Sequence, residues 1–403
     1  MSEKEFKIMF LLGAGSSLHA GLADVKTLTK MFFTALDGSA ELEDSIKDKI
    51  KQLRTVAFEH YAPRQDIESI MSLIGELNNG QQKKLFQSTY SQLDTFTDTE
   101  LKEINNYLHD YLRHILENVS AGSVNYLLPL LGFRQKYNLE IFTLNYDGVL
   151  DIVLNKSGVD YTDGFSPFWS PNLFVDSMIP VKIYRLHGSL FWFKIPNGKA
   201  IRIPIRGVPI KNMKYISGED MDEMLIYPTL IKEKHLEIYN FLSNRFISKL
   251  GSSHVCIVIG YSFRDKDITD ILKEGLRNNN DLWIIMVSPA ATNHRPLLAV
   301  TALEMDSRII GLNINIEEIL KSGKLYRVVE KLRKNISQER EAWSRQLHSE
   351  GPGLWHNILK TYYDLGAIDR IEYIRHRLVT NFEISDSDIP RDYSSGPTRK
   401  PWT

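Results

Sequence analysis

Short apolar runs without polar–apolar alternation constrain this chain most. They are Phe6–Leu12, Leu139–Leu144, Val181–Leu186, His254–Gly260, Leu282–Val287 and, more weakly, Arg308–Leu312. All are rich in β-branched and aromatic residues, and most end in a turn signal. Each is too short for a buried helix and reads as a core strand. A strand that is apolar on both faces must be covered on both faces, which is the condition of a parallel sheet between helical layers. Helical patterns fill the intervals. Ile67, Ile70, Met71, Ile74 and Leu77 share one face, and Leu101, Ile104, Leu108, Leu112 and Ile115 share another, opened by a capping box from Thr97 to Glu100. This alternation predicts an open, doubly wound α/β sheet.

Residues 35–138 contain no convincing strand and read as a large helical insertion between the first two sheet strands. Past residue 313 the pattern is wholly helical, with stripes at Leu325, Val328, Val329, Leu332 and at Leu354, Ile358, Tyr362, Leu365. The expected organisation is a domain over 1–312, a helical C-terminal extension over 313–384 as a candidate assembly region, and a mobile, Ser- and Pro-rich tail over 385–403.

Lys and Arg number 49 against 50 Asp and Glu, which excludes a polybasic coat or an acidic disordered tail as a global description. The single cysteine, Cys256, forbids an intrachain disulfide and any four-Cys or Cys₂His₂ zinc module. Its strand setting predicts a packed thiol in a reducing, cytoplasmic compartment. No apolar run approaches the ~18–20 residues needed to cross a bilayer. Lys4, Lys7 and Ile8–Leu12 imitate a signal peptide, but Gly13–Ser17 interrupts the apolar stretch, favouring a buried strand that feeds a glycine turn.

In an open parallel sheet, ligands bind at the carboxyl ends of strands. Four segments lie there. Gly13-Ala14-Gly15-Ser16-Ser17 would let backbone N–H groups approach a pyrophosphate, although Leu18 stands where the dinucleotide fingerprint has its third glycine. The alternative is a turn serving chain geometry alone. Thr143-Leu144-Asn145-Tyr146-Asp147 puts Asn145 and Asp147 at the sheet edge, where either binds sugar or amide groups or caps the following helix. Arg185-Leu186-His187-Gly188-Ser189 offers a histidine that could act as a base or be structural. Gly260-Tyr261-Ser262-Phe263 precedes Asp265 and Asp267, with Ser262 a candidate for phosphate or ribose and Asp265 for a helix cap.

Together these segments resemble the SIR2 superfamily, and specifically the SIR2-like NADases of bacterial antiphage defence. Gly13, Ala14, Gly15, Ser17, Gly21 and Asp24 match the family's opening motif, while Ala23, Val25 and Lys26 depart from it. Thr143, Asn145 and Asp147 match a second motif, His187-Gly188-Ser189 a third, and Gly260–Asp265 has the form seen in the defence branch. The resemblance covers residues 6–312. It implies a Rossmann-like doubly wound parallel sheet of about six strands. It also implies NAD as substrate, with Asn145 and His187 as the essential pair. Gly13, Ala14, Gly15 and Ser17 would hold the pyrophosphate, Asp24 would lie near the nicotinamide pocket, Asp147 would hold the nicotinamide amide, and Gly260 and Ser262 would serve the adenosine side. No zinc is expected.

The implied activity is NAD⁺ hydrolysis to nicotinamide and ADP-ribose, restrained until infection. The expected partners are further copies of the chain and a HerA-type ATPase, with a phage component or nucleic acid as trigger and no membrane. An NAD-dependent protein deacylase is disfavoured because the family's deacylases carry a four-Cys zinc module. A nucleic-acid-acting subunit draws on Lys182, Arg185, Lys194, Lys199, Arg202, Arg206, Lys211 and Lys214, with Phe191, Trp192 and Phe193 interleaved for base stacking. The competing expectation is that this segment packs as a hairpin-like lid and attracts an anionic cofactor.

Overall fold

A computed structural model describes residues 6–40, 42–62, 64–78, 80–176, 178–196, 198–204, 221–225, 236–298, 308–344, 352–382 and 389. Arg206, Lys211, Lys214 and, apart from Ile389, the tail expected at 385–403 lie outside these residues.

The chain opens with β1 (Ile8–Leu12), then runs through helices α1 (Val25–Gly38), α2 (Asp44–His60), α3 (Ile67–Leu77), α4 (Gly80–Thr89) and α5 (Asp98–Glu117). Next come β2 (Leu139–Thr143), α6 (Val149–Ser157), β3 (Tyr161–Thr162), β4 (Phe165–Ser166), β5 (Phe168–Trp169), β6 (Val181–Arg185), β7 (Gly188–Lys194), β8 (Ala200–Arg202) and β9 (Asp222–Leu225). The chain continues with α7 (Leu236–Ser252), β10 (Val255–Ile259), α8 (Lys266–Asn278), β11 (Trp283–Ser288), α9 (Ala291–His294) and β12 (Ile309–Asn313). Four helices follow: α10 (Ile316–Lys321), α11 (Lys324–Ser344), α12 (Pro352–Asp364) and α13 (Ile368–Phe382).

The main sheet has seven strands in the order β12-β11-β10-β1-β2-β6-β3, so connections wind outward in both directions from β1. The pairs β1–β10, β10–β11, β11–β12 and β3–β6 are parallel. All six expected strands are present. The seventh, β3, has only two residues, too few to carry a periodic signal. A second sheet, β4-β5-β8-β7-β9, was not anticipated, and its pairs β4–β5, β5–β8, β7–β8 and β7–β9 are antiparallel. Three of its strands have two or three residues, and β7 is buried at six successive positions.

The chain divides into two compact units, and β2 contributes to both. The first comprises Met1–Gly13, Tyr126–Ile141 and Arg245–Thr403. Its strands β1 and β10 are buried at every residue, which is why they lack alternation. Cys256 is fully buried there, and burial pushes its thiol up, as a packed rather than reactive cysteine requires. The stripe Leu325, Val328, Val329 and Leu332, and Ile358, Tyr362 and Leu365 of the next, are buried within the protein. Trp283 stacks on Tyr362 at 5.3 Å, binding α12 to β11.

The second unit comprises Ala14–Asn125 and Phe142–Asn244. Helix α3 is its hub, buried along most of its length and packed against α1, α2, α4 and α5. The capping box is formed: Thr97 accepts from the Glu100 N–H at 3.2 Å, and the Glu100 carboxylate accepts from the Thr97 N–H at 2.9 Å. The same unit holds a buried charge cluster. Arg185 donates to Asp151 at 2.5 Å and Arg202 to Asp151 at 2.6 Å. Both guanidinium groups also lie 3.4 Å from Asp163. Burial alone would raise the Asp151 carboxyl, but Arg185 and Arg202 outweigh it and hold it below its ordinary range.

Removing Asp151 takes the nearer carboxylate from two guanidinium groups, one of them fully buried. Asp151→Ala is expected to cost about 3–5 kcal/mol in urea unfolding at pH 7. Glu100 tests a milder tie. Its carboxyl is lowered from 4.5 to about 2 by the Lys49 ion pair and the Thr97 bonds. A depressed carboxyl stabilises the fold above pH 4.5 and loses that contribution as pH falls toward 2. Wild type should therefore be more stable than Glu100→Gln at pH 7, and the two unfolding curves should converge by about pH 2.

Candidate functional site

The first unit contributes one strand-end pair. β1 and β10 run parallel in register, Leu12 opposite Ile259, and their onward connections leave for opposite sides of the sheet. That is the switch point at which open α/β sheets bind ligands. The Gly13 N–H continues the ladder, donating to the Ile259 carbonyl at 2.9 Å. A Cβ on Gly13 would lie 2.7 Å from Tyr261 Cα and 2.8 Å from the Gly260 carbonyl oxygen. Gly13 is thus required for close backbone approach, and its own N–H is already engaged. Gly260 has a φ of 65°, which favours glycine, and Phe263 at 58° is the one non-glycine residue with positive φ among those described. Ser262 is exposed between them. Asp265 caps α8, accepting from the N–H groups of Asp267 and Ile268 at 2.9 and 3.2 Å.

The second unit holds the denser cluster. Ala14–Ser16 form a 3₁₀ turn, and the Ser17 N–H closes it on the Ala14 carbonyl at 3.0 Å. Ala14 and Gly15 are exposed or half-buried in the opening of this turn, where N–H groups have no acceptor within the helix. Ser16 and Ser17 are buried, and their hydroxyls accept from the Asn145 Nδ2 at 3.1 and 3.0 Å. Asn145 also donates its N–H to the Thr143 hydroxyl. The half-buried Asn145 amide is therefore held on two sides before any ligand arrives.

Adjacent strand ends bring together the segments that carry Asn145 and His187. The Leu186 N–H donates to the Thr143 carbonyl at 2.9 Å, and the Leu190 N–H to the Tyr146 carbonyl at 3.2 Å. These bonds set residues 143–146 alongside 186–190. Between them the Tyr146 and His187 rings lie 6.2 Å apart, inclined at 31°. His187 is 5% exposed. Gly188, with φ at 81°, turns the chain so tightly that a Cβ would lie 2.0 Å from the Met224 carbonyl oxygen. Tyr146 then donates its hydroxyl to Glu68 of α3 at 3.3 Å.

Asp147 is buried and serves the start of α6, accepting the Val149 N–H at 3.0 Å; the Ser17 hydroxyl also bonds it. Burial raises its carboxyl against the pull of those bonds and of Arg185. Asp24 is placed differently. It is exposed and caps α1 by accepting the Thr27 N–H at 2.7 Å, so its local structure is explained without a ligand.

Within this unit the structure brings together Ser17, Asn145, Asp147 and His187. Ser16, Tyr146 and Glu68 join them although no motif singled them out as site residues. Ser16 sits inside the glycine motif and Tyr146 inside Asn145–Asp147, so proximity was their only signal. Glu68 had none, lying far away in sequence.

The basic segment is less available than its charge suggests. Its expected hairpin exists, β7 pairing antiparallel with β8. Arg185 and Arg202, however, are committed to Asp151 and Asp163. Phe191, Trp192 and Phe193 are 2%, 0% and 0% exposed, so they form core and cannot stack on bases. Among the described residues no group of three or more His, Cys, Asp or Glu is set to hold a metal ion, and no helix is long and apolar enough to cross a membrane.

Residues 139–304 match the SIR2-like domain family, a span that includes Asn145, His187, Gly260 and Ser262 but not the turn at Gly13. Similar solved structures include a Sir2 homologue–NAD complex, at 14% identity over 81% of this chain and 90% of that one, with a TM-score of 0.42. A mutant Sir2 homologue with 2′-O-acetyl-ADP-ribose has 12% identity over 81% and 92%, with a TM-score of 0.40. A further mutant with ADP-ribose has 14% identity over 81% and 93%, also with a TM-score of 0.40. No curated protein matches the chain.

The close approach at Gly13 yields a direct test. Because the obstructing atoms are backbone, Gly13→Ala should lower the thermal unfolding stability by about 1–3 kcal/mol. Gly38→Ala, at an exposed helix end with nothing within 4 Å, should leave stability unchanged or raise it by up to about 1 kcal/mol.

Proposed function

We propose that this protein is an NAD⁺ glycohydrolase that cleaves NAD to nicotinamide and ADP-ribose as an effector of antiphage defence. The observation that carries the proposal is the Asn145 amide, anchored by Ser16 and Ser17 of the glycine turn, beside a buried His187 on the neighbouring strand end. The SIR2-like match across both residues supports it.

The chemistry asks little of the protein as an acid. When the bond from ribose C1′ to the pyridinium nitrogen breaks, the electron pair leaves with nicotinamide and neutralises it. The remaining ribose is oxocarbenium-like and needs polar stabilisation and an oriented nucleophile. Asn145, with its side chain fixed, is proposed to orient ribose and water. His187 takes the proton of a ribose hydroxyl or of water as the water oxygen bonds to C1′. Ala14 and Gly15 would offer N–H groups to the pyrophosphate, with Ser17 alongside and Gly13 allowing the approach. Asp147 is assigned to the nicotinamide carboxamide in addition to its brace on α6. Gly260 and Ser262 are assigned to the adenosine side, and Asp24 to the nicotinamide pocket from the resemblance alone.

An enzyme that empties its host's NAD must be restrained, and we assign that restraint to assembly, with further copies of the chain and a HerA-type ATPase as the proposed partners. The two competing functions are less well supported. A single cysteine cannot build the deacylase zinc module. The aromatic residues that would stack on nucleic acid are buried.

Purified protein, alone and with a candidate ATPase, should release nicotinamide and ADP-ribose from NAD in a chromatographic assay. Asn145→Ala and His187→Ala should each slow turnover by about 10²–10⁴-fold while folding normally by circular dichroism. Turnover in both variants equal to wild type would reject the site.

A further inference from the structure

Glu68 belongs to no strand-end motif. It lies in the first turn of α3, one residue past the start of a helix whose other positions are largely apolar and buried. A carboxylate so placed is costly unless something compensates it. Its compensation comes from the strand ends. Tyr146 donates to Glu68 Oε1 at 3.3 Å, the Tyr146 ring lies 6.2 Å from that of His187, and His187 acts electrostatically on the Glu68 carboxyl.

We propose that Glu68 is a positioning residue for His187, fixing Tyr146 through its hydroxyl and setting a carboxylate within electrostatic reach of the imidazole. The inference rests on the hydrolase reading, because His187 gains positive charge when it accepts a proton. A nearby carboxylate stabilises that imidazolium and makes the imidazole a stronger base.

The groups around Glu68 are Asp66 and Arg64 at the entry to α3, Tyr146 after β2, and His187 after β6. Burial raises the Glu68 carboxyl and Asp66 adds to this, while His187, Arg64 and the Tyr146 hydroxyl oppose it. Farther along α3, Glu76 has its own partners, Tyr61 and His60. A first-turn glutamate also suits the helix dipole, so loss of stability alone does not distinguish a catalytic setting from a structural one. The charge on His187 does.

The test compares the His187 ring signals of the histidine-labelled full chain by NMR, assigned by their loss in His187→Ala. Glu68→Gln keeps an acceptor for Tyr146 but removes the charge. Those signals should shift between wild type and Glu68→Gln at one pH, and kcat of NAD hydrolysis should drop about 10-fold while KM stays within about twofold. Unshifted His187 signals overturn the inference, even if turnover falls. Absence of NAD turnover in wild type rejects the hydrolase reading instead, and the NMR comparison still decides whether Glu68 sets the surroundings of His187.

Discussion

Arg185 is fully buried at the end of β6, two residues before His187, and much of the second unit is arranged around the need to pair it. A guanidinium cannot shed its charge on burial, so the fold must bring anions to it. Asp151 comes from α6, Asp163 from the turn between β3 and β4, and Arg202 from β8 balances the second acid. Tyr161 and Trp192 complete the cluster by donating to Asp151 and Asp163. One ion network thereby joins the end of a main-sheet strand to the helix after Asn145 and to the small sheet. Arg185 also donates to the Asp147 carbonyl at 3.3 Å, so the segment carrying Asn145 and Asp147 is held by the same side chain that precedes His187.

Backbone geometry supplies what charge does not. Gly13 and Gly188 have the same character for different reasons. At Gly13 two parallel strand ends come too close for a Cβ; at Gly188 the chain adopts a left-handed turn against Met224. Both glycines stand next to candidate site residues without needing to touch a ligand. Their place in the motifs is a property of the scaffold, and in the proposed reaction the polar side chains beside them carry the chemistry.

The main sheet was legible because burial on both faces erases alternation, leaving runs such as Ile8–Leu12 and Val255–Ile259 conspicuous. The small sheet was not, since strands of two or three residues have no period to detect. Asn145 and His187 were legible as candidates because strand-end position and residue type coincide in both. Glu68 was invisible for the opposite reason: a glutamate in the first turn of an amphipathic helix is unremarkable in sequence, and only the packing of α3 brings it to Tyr146. For the basic segment both readings stayed open, because a linear count of arginines does not reveal which are already paired. Arg185 and Arg202 are neutralised internally, and the aromatic run between them builds the core.

That pairing bears on how the proposed site would meet an anionic substrate. With the two arginines committed to Asp151 and Asp163, the proposed recognition of a pyrophosphate would fall on backbone N–H groups and hydroxyls rather than on a guanidinium clamp. Neutral donors hold an anion by geometry more than by long-range attraction, so they favour a ligand that fits the turn. The same economy applies to the reacting end. In the proposed hydrolysis, departure of nicotinamide removes a positive charge from the ring nitrogen and builds one on ribose, and a strongly cationic pocket would oppose that step. The ionisable groups gathered there, Asp147, His187 and Glu68, comprise two acids and one weak base. Such a set is suited to tolerating a developing cation while leaving a single imidazole to accept the proton from water.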